Sequence, residues 1–581
     1  MSEFRVWAPA AHTLELVLPE RRVTMNAGPD EWWSVPVSEA RAGQRYWFSV
    51  DGRAPRPDPR SPSQPDGVHG PSAVVDHTSF DWTDAGWQPV PLPAAVFYEL
   101  HVGTFTPQGT FDGVRDHLDH LLELGVTHVE LMPVAEFPGQ RGWGYDGADL
   151  FAPHHAYGGP DGLKRLVDTC HARGLAVVLD VVYNHLGPSG NYLSEFGPYF
   201  TQRYATPWGQ AVNLDGPGSD EVRRFLIDNA CMWLRDYHVD GLRLDAVHAL
   251  VDTSALHFLE ELAAQVHALQ GELGRHKIVV AESDLNDPRL VRAPEVGGYG
   301  LDAQWSDDLH HALHAVLTGE RSGYYEDFGD VGHVVRALGS AFVYDGIYSP
   351  HRGRRHGRTA QGLPGHRFVV SLQNHDQVGN RARGDRLHQQ AGRAAAEVGA
   401  AILLTSPFLP LIFQGQEWAA STPFPYFTDH EDEALGQAVR EGRRREFARF
   451  GWKPEDIPDP QAEATFASAK LDWGEPERAP HAQVLASYKA LLRLRRERPE
   501  LRQAAPEALA AWHDDEQGWL VVARAGLVLA CTLGHKSARL DLHQFTPVSA
   551  LELASNDAVR WDGRALELPP QSFAILSRWH P

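Results

Sequence analysis

Three carboxylates stand out through their neighbours: Asp245 in DGLRLDAVH (240–248), Glu282 near the end of KIVVAES (277–283) and Asp376 closing RFVVSLQNHD (367–376). Alternate side chains of a strand share a face, so Leu242 and Leu244 point one way, Arg243 and Asp245 the other. With the leucines against packing helices, the arginine and aspartate face the inside of a sheet or barrel. A carboxylate beside a guanidinium favours its charged form, which suits a nucleophile better than an acid. Glu282 ends a wholly apolar run, where a charged carboxylate loses its hydration, and it is the better proton donor. Taken singly, Arg-x-Asp reads as a structural ion pair and each of the others as a strand or helix cap. Carboxylates gathered at several strand ends are harder to explain by capping. A pair with unequal proton affinities across one cavity is what cleavage of a glycosidic bond needs. One attacks the anomeric carbon; the other protonates the leaving oxygen and later activates water. Asp376 is then left to stabilise the cationic transition state or to hold sugar hydroxyls.

The elements that must position these groups follow a strand–helix rhythm from about Pro93 onward. Strand candidates are 95–105, 126–133, 175–185, 241–247, 277–283, 300–305, 367–376 and 408–417, with amphipathic helical stretches between, and 481–501 is a last helix. Eight such units are the count of a (β/α)8 TIM barrel with insertions, whose catalytic groups lie at the C-terminal ends of the strands. Those ends carry Asp180, Asn184 and His185; Asp245 and His248; Glu282, Asp284 and Asn286; and Asn374, His375 and Asp376. A doubly wound open sheet is the competing architecture, but no G-x-G-x-x-G or Walker sequence follows an early strand. Short alternating runs before and after the barrel predict an N-terminal β-sandwich module (1–90) and a small C-terminal β domain (505–581), the barrel occupying 91–504. The Pro- and Gly-dense segment Arg53–Pro71 is a boundary or wrapped linker. Trp7, Trp32, Trp33 and Trp47 in the first module suit a carbohydrate-binding surface, though packing is the expected use.

Composition narrows the partners. At 581 residues several domains are expected. A formal charge of −23 argues against nucleic acid or an anionic membrane as the main partner. Three distant cysteines (Cys170, Cys231, Cys531) give neither a disulfide framework nor zinc spacing. The start, MSEFRVWAPAA, lacks the features of a signal peptide, and no apolar run reaches membrane-spanning length, so a cytoplasmic protein is expected. The 31 His and 17 Trp leave room for a metal or for sugar stacking. His185, His248 and His375 fit no compact zinc pattern, and a serine-hydrolase G-x-S-x-G elbow is missing.

DVVYNH, GLRLDAVH, the Glu282 strand and QNHDQVGN resemble, in order, the four sequence regions of the α-amylase superfamily (glycoside hydrolase family 13). The resemblance implies Asp245 as nucleophile, Glu282 as acid/base and Asp376 as transition-state stabiliser. It places Asn184, His185, Arg243 and His375 around the sugar at the cleavage point, with Tyr145 of GWGYDG stacked beneath it. Longer text, including GYDGADLFAPHHAYGGP, AESDLNDPRLV, GYGLDAQWSDDLHHALH and LQNHDQVGNRA, resembles the maltooligosyltrehalose trehalohydrolases across essentially the whole chain. That likeness implies hydrolysis of the α-1,4 bond next to a terminal trehalose, on maltooligosyl trehalose and related α-1,4-glucan substrates. It also implies a metabolic partnership with maltooligosyltrehalose synthase. A glucan branching or debranching enzyme would use the same residues, and a non-catalytic glucan-binding protein is the third possibility. The short insert after strand three (186–218) lacks the acidic cluster of the calcium site of many α-amylases, so no metal and no cofactor is expected. For the trehalose unit the expected contacts are Asp284, Asn286, Asp307, Asp308 and His311, with His248 and Gln377 completing the sugar-binding set. The loop from about 320 to 366 would form a wall of the cleft.

Overall fold

The computed structural model describes residues 2–448, 453–503, 506–524 and 526–578. Eight parallel strands close into a barrel in sequential order: β1 Phe97–Leu100, β2 His128–Leu131, β3 Ala176–Val181, β4 Gly241–Leu244, β5 Ile278–Ala281, β6 Ala303–Trp305, β7 Phe368–Ser371 and β8 Leu409–Phe413. The strands are short because parallel pairing lasts only while both neighbours are in register. Asp180 lies opposite Arg243, for example, and Arg243 opposite Val280. This is why 95–105 and 175–185 overreach as single strands: β1 gives way to a helical turn at Val102–Phe105, and Asn184 and His185 lie beyond β3. The outer layer includes α1 Gly159–Ala172, α2 Ser219–Asp236, α3 Phe258–Leu273, α4 Asp308–Thr318, α5 Arg393–Thr405 and α6 His481–Glu497. Helix α3 starts at Phe258 because the His257 ring accepts from the Leu259 amide and caps it.

Alternation along the strands sorts the barrel into two chemistries. Leu242 and Leu244 join the main core with helix residues such as Leu226 and Leu262. Inside the barrel, Phe97, Val178, Ile278, Val280, Ala303, Val369, Leu409 and Leu411 form an apolar plug. One step up each strand the interior turns polar, with Glu99, Glu130, Asp180 and Arg243 all buried. A filled barrel leaves only its upper mouth for function.

Antiparallel sheets flank the barrel. Before it, Ser2–Trp7 pairs with Trp32–Val37, and Leu14–Leu18 pairs with Arg21–Thr24 and Arg45–Val50. After it, a five-stranded sheet includes Trp519–Arg524, Leu527–Thr532 and Ser572–Arg578, with its own core around Val521, Val528, Leu566 and Leu576. The expected boundary at 504/505 lies outside the described residues. The first module is welded to the barrel. Trp7 is buried against Tyr199, the Trp32 indole donates to Glu221, and Arg56 and Arg60 pair with Glu195 and Asp228.

The segment joining the two is clamped below the barrel by a buried ion set. The His171 ring lies 2.8 Å from Asp84 Oδ2 and 2.9 Å from Asp240 Oδ2, and Arg275 reaches the same Asp84 oxygen at 2.9 Å. Burial alone would lower the His171 pKa, but the two carboxylates outweigh it and raise the value. Burial likewise opposes charge on Asp84 and Asp240, and their partners hold both below the usual carboxylate range. His171→Ala leaves two buried carboxylates short of a partner, and we expect it to cost ~3–5 kcal/mol of stability in denaturant titrations. The His171 contribution is complete below about pH 6.5 and fades as pH rises through its raised folded value. The Asp contributions are lost as pH falls below about 4. A midpoint independent of pH 4–9 in the variant and the wild type alike would contradict this assignment.

Candidate active site

The mouth is organised by one arginine. Arg243 is fully buried, its Nη1 donating to both Asp180 oxygens at 2.9 Å and to Asp245 Oδ1 at 2.8 Å. Its Nη2 is 3.6 Å from Glu282 Oε2, and its guanidinium lies over the Trp305 ring at 4.4 Å. Asn184 Nδ2 donates to Asp245 Oδ2 at 2.8 Å, so both Asp245 oxygens are fixed by donors. Ala246 turns the chain sharply after β4 in the left-handed region (φ 41°), and its amide donates to Glu282 Oε2 at 2.6 Å. Burial, reinforced by Asp245, Asp376 and Asp307 against the opposing pull of Arg243, raises Glu282 to about 8. Glu282 therefore keeps its proton at neutral pH, which suits a proton donor standing beside an attacking group.

A second chain of groups runs across the mouth from β1. Glu99 accepts from the His375 amide at 3.0 Å and from its Nδ1. Burial would push His375 down, but Glu99 and Asp376 raise it to about 9. The His375 Nε2–H donates to Tyr145 Oη (2.8 Å), which donates to Asp180 Oδ2 (2.7 Å), and the two rings stack at 5.2 Å. Asn374 caps the short helix His375–Gly379, leaving Asp376 half exposed with Oδ1 3.5 Å from His375 Nε2. His185 Nε2–H donates to the Tyr145 carbonyl at 2.9 Å, and the ring stacks on Trp208, which is 47% exposed at the hairpin Phe200–Thr206/Gly209–Val212. Asp245, Glu282, Asp376, Arg243, Tyr145, Asn184, His185 and His375 thus converge on one cleft.

Residues 63–205 match the alpha amylase catalytic domain. The malto-oligosyltrehalose trehalohydrolase of Rhizobium sp. (strain M-11) is 48% identical over 99% of this chain and 97% of that protein. The chain belongs to the malto-oligosyltrehalose trehalohydrolase family. The protein of the same description from Arthrobacter ramosus is 54% identical over 85% of this chain and 87% of its own length. A crystal structure described as a putative alpha amylase from Salmonella typhimurium superposes with a TM-score of 0.91, at 39% identity, covering 99% of this chain and 97% of that one.

The residues expected to meet trehalose divide into two groups. Asp307 and Gln377 face each other, the Gln377 amide donating to Asp307 Oδ1 at 3.3 Å. Burial and the nearby Asp376, Asp308 and Asp284 raise Asp307 to about 7, so it belongs electrostatically to the cleft; its side chain caps no helix. Asp284 is held low, against its burial, by His248 and Arg352, and it accepts from Arg352 Nη1 at 3.0 Å. His248 is exposed. His311 is largely buried, lowered to about 3 by that burial, with its ring 5.0 Å from that of Tyr324. Asn286 and Asp308 instead turn into the protein. Both are buried, and Asp308 Oδ2 accepts from Asn286 Nδ2 at 2.8 Å and from the amides of Val343 and Tyr344. A strand-end Asp or Asn reads alike in both uses; the returning chain at 343–344 decides.

Glu99, Asp180, Trp305, Trp208 and Arg352 complete the cleft and were not among the expected site residues, although Asp180 stands at a strand end in the sequence. Glu99 could have been found as a lone carboxylate inside the buried run FYEL. Among the described residues one group brings together three metal-capable donors: Glu136, His154 and His155, on and just after the hairpin Ala135–Glu136/Asp149–Pro153. There the glutamate already bonds His155, with Oε1 2.6 Å from His155 Nδ1, and it lies 3.2 Å from His154 Nδ1.

Proposed function

We propose that this protein hydrolyses the α-1,4-glucosidic bond next to the terminal trehalose of maltooligosyl trehalose, releasing trehalose and a maltooligosaccharide with retention of configuration. The observation that carries the reading is the proton-holding Glu282 beside an Asp245 fixed by Arg243 and Asn184, in a chain of this family. Asp245 attacks the anomeric carbon while Glu282 passes its proton to the leaving oxygen. Glu282, now a carboxylate, takes a proton from water, whose oxygen displaces Asp245. Asp376, Tyr145 and the protonated His375 hold the sugar ring and its hydroxyls as positive charge develops. Every proton in this scheme moves between side chains, sugar and water.

The three-part division at 1–90, 91–504 and 505–581, a cytoplasmic location and a metabolic partnership with a maltooligosyltrehalose synthase belong to the same reading. Among the described residues no helix is long and apolar enough to cross a membrane. A branching enzyme would share the covalent intermediate and differ only in the acceptor, so products decide between the two. Incubated with maltotriosyl trehalose, the enzyme is expected to give free trehalose and maltotriose, with slow action on maltopentaose and amylose. New α-1,6 branches on amylose without trehalose release would instead assign the same carboxylates to glucan transfer.

A further inference from the structure

The hairpin Asp345–Ser349/Arg354–Gly357 stands outside the barrel as a two-stranded ribbon with a register shift. A two-stranded ribbon is marginal by itself. Its anchors come from the loops after β5 and β6, the strands that carry Glu282 and Asp307. Asp308 Oδ2 accepts from the Val343 amide (2.6 Å), the Tyr344 amide (2.9 Å) and Asn286 Nδ2 (2.8 Å). Asn286 donates on to the Tyr344 carbonyl (3.2 Å) and accepts from the Arg358 amide (3.0 Å), gripping both legs of the ribbon. The grip is tight. A Cβ on Gly357 would lie 1.8 Å from the Tyr344 carbonyl oxygen and 3.1 Å from Asn286 Cβ. Beyond it, Arg352 at the ribbon's turn pairs with Asp284, two residues after Glu282, and the His356 ring meets the Asp284 carbonyl at 2.7 Å.

We propose that Asp308 and Asn286 are positioning residues: a buried latch that fixes the Asp345–Gly357 ribbon, with Arg352, against the Glu282 side of the cleft and so sets the preference for trehalose-ended chains. This rests on the trehalose-releasing reading above. Asp245 and Glu282 take their hydrogen bonds from Arg243, Asn184 and the Ala246 amide, and none of these three bonds to the ribbon. Selectivity and bond cleavage are therefore separable. A group misplaced by about 1 Å can cost ~10²-fold in rate, so a loosened ribbon shows in recognition first.

Asp308→Ala removes the side-chain acceptor of the Val343 and Tyr344 amides, which lead into the ribbon. It is expected to lower kcat/KM on maltotriosyl trehalose by ~10–100-fold, mostly through KM, while leaving maltopentaose hydrolysis unchanged. Asp308→Asn keeps an acceptor oxygen and is expected to restore most of the preference. Hydrogen exchange of the 341–358 amides should rise in the alanine variant and not in the asparagine one. Equal losses on both substrates, or an unchanged preference despite faster exchange, overturn the proposal. Should the alanine variant not fold, Asn286→Gly, which tolerates the left-handed backbone there (φ 52°), must show the same substrate split in smaller measure. Wild-type enzyme that releases no trehalose would instead defeat the underlying reading, a result distinct from a lost substrate split in the variants.

Discussion

Asp245→Ala is expected to lower kcat on maltotriosyl trehalose by ~10⁴–10⁶-fold, equivalent to about 5–8 kcal/mol of transition-state stabilisation. The size follows from the role: Arg243 and the Asn184 amide each fix one Asp245 oxygen, while the neighbouring Glu282 is raised to about 8 by burial and holds its proton. The variant keeps Arg243 paired to Asp180, which limits the damage to the fold. It also opens a gap beside the anomeric carbon. Added azide should enter it, restore part of the rate and give the β-glycosyl azide, because a single displacement inverts what two displacements retain. Product anomers followed by proton NMR check both halves. Activity within tenfold of wild type, or rescue with retention, would remove Asp245 from this role.

Glu282→Gln is expected to cost ~10³–10⁴-fold in kcat for the natural glucosidic bond and far less for an α-glycosyl fluoride, whose leaving group needs no proton. Catalysis requires Glu282 protonated at the first step, and its pKa is raised to about 8 by burial. Rate should therefore hold to about pH 8 and fall tenfold per unit above it, and the glutamine variant should lose this alkaline limb on the fluoride. The same shift bears on stability. The unfolded carboxyl ionises near about 4.3. Between there and about 8 the folded protein binds the extra proton, so stability falls as pH rises through that window and stays low above it. Glutamine removes that cost. Its unfolding midpoint should exceed the wild-type one at pH 9, with the gap closing near pH 4; an equal or lower midpoint at pH 9 would count against a protonated Glu282.

Local pattern made much of this legible. Strand alternation placed Arg243 and Asp245 on the inner face, and an apolar run ending in a carboxylate marked Glu282 as the proton holder; the ordered strand–helix units gave the barrel strand by strand. What the sequence concealed are partnerships between distant segments. Glu99 and His375 are 276 residues apart, and nothing in either neighbourhood names the other. Asn286 and Asp308 show the converse: their position after strands is right for the cleft, but a loop arriving from 343–344 offers a carbonyl acceptor to Asn286 and amide donors to Asp308 and so turns them inward. Trp208 sits in the short insert, where only the stacked His185 reveals its address.

The burial of Trp7 has a consequence for how the protein is made. Its indole is seated against Tyr199, and Gly197 is close enough that a Cβ there would meet the ring at 2.6 Å. These partners lie about 190 residues downstream of Trp7 in the chain. At synthesis rates of about 5–20 residues per second, the first module waits ~10–40 s with this surface bare. During that interval its sheets can form but cannot finish their packing. Trp7 is thus a docking face held open for a later part of the same polypeptide, and the nascent chain, rather than the finished enzyme, is where it is most exposed to wrong partners.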